Sequence, residues 1–161
     1  MAEQVRLAIA SDLSGFPLKQ AIVEHLRQRE GLAVTDLGIH STDEVRPYYE
    51  QATKVALAIQ RGEADRGVLI CGTGQGMAIV ANKHKGIYAC VGNNVFDAER
   101  GKIVNNANVL TMGGWITAPF LGLEIVDAWL RVQFVQKMEF KREWLTNALH
   151  QVQALEERNF K

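Results

Sequence analysis

The residues most suited to chemistry lie in one run, Cys71-Gly72-Thr73-Gly74-Gln75-Gly76. An apolar stretch, Gly67–Cys71, leads into it, and Met77–Lys83 begins a second one. Alternate glycines between two such stretches predict a strand-to-helix loop with exposed backbone N–H groups. Such a loop, at the positive end of a helix, holds an anion. Two anions suit it: a phosphate, or the enediolate oxygens that form when a carbonyl compound loses its α-proton. A thiolate at Cys71 gains from the same field, which points to a base that moves a carbon-bound proton. A tight turn beside a buried core thiol would use the same residues and is the alternative. The run is no dinucleotide fingerprint, because the first strand, where that motif normally sits, has only Gly15.

Other polar residues are candidates by position. Asp12 ends the first apolar run and suits either a sugar hydroxyl or a turn. Asn105, Asn106 and Asn108 suit sugar hydroxyls too, although Asn is also a turn former, the better reading for Asn108. Tyr48 and Tyr49 open a helix and suit a ligand or the core equally. His25, His40, His84 and His150 have no neighbour at metal-ligand spacing and read as solvated surface residues. Lys137, Lys141 and Arg142 form a basic stripe in the last predicted helix.

The elements that position these residues follow from hydrophobic periodicity. Strands are predicted at Val5–Ala10, Leu32–Leu37, Gly67–Cys71, Tyr88–Val91 and Val109–Met112. Helices are predicted at Pro17–Arg29, Tyr49–Gln60, from Met77, at Val95–Val104, at Pro119–Val132 and in a tail, Gln136–Asn159. Strands alternating with helices imply βαβ units and a parallel sheet covered on both faces. Ligands bind such sheets beyond the carboxyl ends of the strands. The loops Ser11–Gly15, Cys71–Gly76, Gly92–Asn94 and Gly113–Trp115 all follow predicted strands, so they are expected to meet at one site.

Bulk properties narrow the function classes. The 161 residues suit one domain, 1–161, with 47% hydrophobic and 22% charged residues. Eighteen Lys plus Arg balance eighteen Asp plus Glu, which offers nothing to nucleic acid or an anionic membrane. The two cysteines, Cys71 and Cys90, form no CxxC pair, so a disulfide framework is not expected and a reducing cytoplasm is. The opening MAEQVRLAIASD is too short and charged for a signal peptide. No apolar run approaches the roughly 18 residues that a membrane helix needs.

The segments GVLICGTGQGMAIVANK at 67–83, NNANVLTMGG at 105–114 and EIVDAWL at 124–130, with the strand–Ser-Asp–Gly pattern at 11–15, resemble the ribose-5-phosphate isomerase B and galactose-6-phosphate isomerase family. The likeness runs over roughly residues 5–134. It implies a three-layer Rossmann-like α/β sandwich with a five-stranded parallel sheet and a C-terminal helix extension. It also implies aldose–ketose isomerisation of a small sugar or sugar phosphate, no metal or organic cofactor, and a homodimer or homotetramer with sites at subunit interfaces. The tail at about 136–159 would then serve oligomer contacts.

By the same resemblance, Cys71 moves a proton between the carbonyl carbon and its neighbour. Thr73 and the N–H groups of Gly72, Gly74 and Gly76 stabilise the enediolate, Asp12 lies near the sugar, and Tyr48 lines the site. Asn105 is contributed by the neighbouring subunit, and Arg142 matches a family arginine. A second subtype uses a Glu where this chain has Met77, which leaves only the cysteine route. Departures cluster at the substrate end. Leu13 and Val104 stand where the family has His, the latter its ring-opening His. Trp115 stands where a phosphate-binding Arg is common, and Met138 and Glu139 replace an Arg and a His. Trp115 offers instead an apolar face on which the C–H side of a sugar can stack. Three readings follow: an altered substrate (acyclic, shorter or unphosphorylated), a heteromer completed by a related sister subunit, or a non-catalytic metabolite-binding paralogue.

Overall fold

The computed structural model describes residues 4–160. Five strands form one sheet: β1 (Val5–Ser11), β2 (Leu32–Asp36), β3 (Arg66–Cys71), β4 (Ala89–Val91) and β5 (Val109–Gly113). Their order is β2-β1-β3-β5-β4, and every pairing is parallel. The connecting helices are α1 (Phe16–Arg27), α2 (Tyr48–Gln60), α3 (Gln75–Ala81), α4 (Val95–Asn105) and α5 (Pro119–Arg131), and α6 (Arg142–Asn159) follows. This is the expected α/β sandwich.

Alternation along the strands divides the core into two layers. On one face Leu7, Ile9, Val68, Ile70, Leu110 and Met112 pack against α1, α4 and α5 through Ile22, Leu26, Ala98, Ile125 and Trp129. On the other, Ala8, Ala10, Leu69, Cys71 and Val109 pack against α2 and α3 through Ala52, Val55, Ala56, Met77 and Ala81. The second layer is richer in alanine, and Cys71 is its member nearest the carboxyl ends of the strands.

The tail departs from the expected continuous helix over Gln136–Asn159. Val135 and Lys137 take left-handed backbone angles, φ 69° and 63°, which an α-helix cannot accommodate. A short 3-10 turn, Glu139–Lys141, intervenes before α6 begins. The basic residues therefore form no single helical stripe: Lys137 precedes the turn beside Glu99, and the Lys141 ammonium lies over the Phe140 ring. Two histidines are not simply solvated. His25 Nε2 is 2.9 Å from a carboxylate oxygen of Asp127, and His84 Nδ1 is 3.0 Å from the Val80 carbonyl. No helix among the described residues is long and apolar enough to cross a membrane.

One buried ion pair steers the chain from β2 toward α2. Lys19 is fully buried, and its ammonium donates to Asp36 and to the Ile39 carbonyl, both at 2.6 Å. Asp36 also accepts the Gly38 N–H at 3.0 Å. Removing one partner of a buried pair leaves the other charge uncompensated, which costs roughly 3–5 kcal/mol. Lys19→Ala is expected to lower the unfolding free energy by about that amount in urea denaturation. A loss below about 1 kcal/mol would mean that water screens this pair.

Candidate active site

Strands β1, β3 and β5 are neighbours, so their exits converge. Asp12 N–H donates to the Ile70 carbonyl at 3.3 Å, Gly114 N–H to the Cys71 carbonyl at 2.8 Å, and Trp115 N–H to the Gly72 carbonyl at 3.0 Å. The backbone of Gly114 lies against that of Ser14. Three of the four expected loops thus meet. The fourth, Gly92–Asn94, leaves the edge strand β4, and the Asn94 side chain is engaged in capping α4 through Asp97.

The Cys71–Gly76 turn curls around its own sulfur. Gly74 takes φ +78°, a conformation that side chains resist, and its N–H donates to Cys71 Sγ at 3.2 Å. Gln75 N–H points to Thr73 Oγ1 at 3.4 Å. The N–H groups of Thr73 and Gly76 have no acceptor among the described residues. Cys71 is 6% exposed, so the sulfur is nearly buried at the end of β3, within a turn whose amides at Thr73 and Gly76 are free to donate. Helix α3 has seven residues, so loop amides rather than a long helix dipole supply the local field.

Two rings border this turn. A Cβ on Gly76 would lie 2.8 Å from the Tyr48 ring, and one on Gly72 would lie 2.7 Å from the Trp115 indole. Both rings keep open faces: Tyr48 is 40% exposed and Trp115 74%. Leu13 is exposed in the neighbouring loop. Asp12 accepts the Gly15 N–H at 3.0 Å. Burial holds its carboxyl above the ordinary carboxylate range, partly offset by hydrogen bonds from Gly15 and Ser14.

The remaining candidates lie elsewhere in the chain. Asn105 ends α4 at the amino ends of the strands, opposite the turn. It lines a cavity of about 310 Å³ with Tyr88, Cys90, Leu149 and Val152. Arg142 begins α6, which packs on α4, across the sheet from Cys71. Asn108 is structural: its side chain accepts from Tyr88 N–H and donates to the Gly86 carbonyl, both at 2.8 Å. Burial pushes Cys90 up to about 11, which makes it a poor rival to Cys71. No cluster of three or more His, Cys, Asp or Glu suited to a metal ion occurs among the described residues.

Sequence reading passed over Gln51. It is fully buried, and neither end of its amide has a partner among the described residues. Tyr48 packs on Gly76 and Val55 on Gly67, so Gln51 lies between them, above the stretch of β3 that ends at Cys71. Its spacing three residues after Tyr48 on an otherwise apolar face was the available signal.

The chain matches the family described as Ribose/Galactose Isomerase over residues 7–144. It belongs to that family. It is 42% identical over 154 residues to a 4-deoxy-4-sulfo-D-erythrose isomerase from a Clostridium species, covering 95% of this chain and 96% of that one. It is 41% identical over 128 residues to a D-erythrulose-4-phosphate isomerase from Pectobacterium atrosepticum, covering 80% and 84%. Among solved structures, ribose-5-phosphate isomerase B of Clostridium thermocellum superposes with a TM-score of 0.86 at 36% identity, covering 96% of this chain and 99% of that one. The chain is therefore an isomerase of the sugar-phosphate aldose–ketose family.

The raised carboxyl of Asp12 makes a stability prediction. Ionised Asp12 penalises the folded state above its folded pKa, and the penalty vanishes once the unfolded carboxyl is also protonated, below about pH 3.9. Asp12→Asn, which keeps an acceptor for Gly15, is expected to melt above wild type at neutral pH. The difference should shrink as pH falls through the carboxylate range. Calorimetry between neutral and acidic pH checks this, and a gap constant over that range would refute it.

Proposed function

We propose that this isomerase acts on an acyclic four-carbon sugar closed at C4 by an anion, with 4-deoxy-4-sulfo-D-erythrose as the substrate. The observation that carries the chemistry is the Cys71 sulfur at 3.2 Å from Gly74 N–H, beside the unfilled donors of Thr73 and Gly76. Cys71 takes the proton from C2 of the aldose, the C=C bond of the enediolate forms, and the N–H groups receive the charge that builds on oxygen. The Thr73 hydroxyl adds a donor. The Asp12 carboxylate takes the O2 hydroxyl proton and delivers it to O1. The thiol then returns its proton to C1, giving the ketose with no net change in atoms or electrons.

Two features support the four-carbon substrate. A tetrose whose C4 carries a sulfonate or phosphate has no free hydroxyl there to close a furanose ring onto C1. It needs no ring-opening His, and Val104 occupies the matching position. The loops at 11–15, 71–76, 92–94 and 113–118 also contain no Lys, Arg or His. A sulfonate carries one charge where a phosphate carries nearly two at neutral pH, so it asks less of this site. The relative that matches over nearly the whole chain is named for the sulfonated tetrose.

The site is completed by a second copy. Asn105 and Arg142 stand away from their own Cys71, and a two-fold partner brings them to it. Exposed Phe96, Phe140, Trp144, Val152 and Leu155 on and beside α4 and α6 supply apolar surface for that contact.

Two experiments test this. Purified protein incubated in D2O with 4-deoxy-4-sulfo-D-erythrose is expected to form the ketose and take up deuterium at the transferred position. Cys71→Ala should fold normally and lose at least about 10³-fold in kcat. Activity retained in that variant would remove the cysteine mechanism. Second, Cys71→Ala and Asn105→Ala proteins, each impaired alone, should regain turnover when co-expressed, since a mixed dimer holds one intact site. No recovery would place Asn105 outside the partner's site.

A further inference from the structure

We propose that Trp115 sets substrate choice by exclusion, holding an apolar indole at the mouth of the site so that a longer phosphorylated sugar is refused. This deepens the four-carbon reading above and rests on it. Trp115 is 74% exposed, yet its backbone is pinned: its N–H donates to the Gly72 carbonyl at 3.0 Å, and the preceding Gly114 N–H to the Cys71 carbonyl at 2.8 Å. Those bonds tie the exit of β5 to the two residues that begin the glycine turn. The indole then lies on Gly72, where a Cβ would come within 2.7 Å of its Cδ2 and Cε3 atoms. The ring lies on Gly72, the residue after Cys71, and most of its surface stays open.

Leu13, in the loop after β1, is a second exposed apolar side chain, 42% exposed. A dianion driven against indole and leucine loses hydration and gains no partner, which is unfavourable. A chain too short to carry its anion onto the indole avoids that cost. Its C–H groups can lie on the open indole face instead. Selectivity of this kind comes from a penalty on the wrong substrate rather than a new contact with the right one.

The position of the ring depends on Gly72, which gives two independent ways to disturb it. Trp115→Arg replaces the indole with a cation. Gly72→Ala leaves Trp115 in the sequence but puts a methyl group where the ring lies. Each variant is assayed for kcat/KM on 4-deoxy-4-sulfo-D-erythrose and on D-ribose 5-phosphate. The quantity read is the ratio of the two, in which a general loss of proton-transfer rate cancels. Trp115→Arg is expected to shift the ratio toward ribose 5-phosphate by about tenfold or more, the scale of one charge-assisted hydrogen bond. Trp115→Ala and Gly72→Ala should shift it in the same direction by less. Ratios within about twofold of wild type in Trp115→Ala and Trp115→Arg would overturn the role of Trp115 while leaving the four-carbon reading intact. A wild-type protein that prefers ribose 5-phosphate, or turns over neither sugar, would overturn both.

Discussion

The site depends on a single reversal of the chain, in which Gly74 turns left-handed and aims its N–H back at the sulfur of Cys71. An ordinary side chain at that position would strain the turn. Without the turn, the Gly74 amide would point along the chain instead of back at the sulfur. With it, Thr73 and Gly76 present donors around a thiol that the sheet already holds in place. Positioning is achieved by backbone, which is stiffer than any arrangement of long side chains.

Around that turn, the fold separates a packed layer from an exposed rim. The Cys71–Gly76 turn grows out of β3, whose end is packed against α2 and α3. The exits of β1 and β5 and the start of α2 instead carry exposed side chains, Leu13, Trp115 and Tyr48. Side chains in the second group can change without disturbing the packing of the first.

The arrangement also costs stability. Asp12 is held in surroundings that disfavour its charge, Thr73 and Gly76 leave amides unfilled, and the Gln51 amide is buried without a partner. Each is unfavourable for the folded chain alone. The two apolar layers and the Lys19–Asp36 pair provide the rigidity that keeps these groups in place.

The sequence by itself determined the architecture and the position of the glycine turn. Apolar runs of strand length alternating with amphipathic helices allow little besides a parallel sheet, and a Cys followed by alternate glycines marks its turn without any coordinates. It misjudged the tail, because the left-handed residues Val135 and Lys137 are neither glycine nor proline and carry no local signal. The sequence expected four strand exits to meet, and only the tertiary structure decided that three of them do and that the one after β4 stays apart. Strand order brings Asp12, Cys71 and Trp115 together from three separate parts of the chain, and it sends Asn105 to the other end of the sheet. It also laid an indole on Gly72 and a phenol on Gly76, and enclosed Gln51 beneath them. Periodicity is a property of neighbours along the chain, whereas these contacts arise from how the sheet orders its strands, which no local pattern encodes.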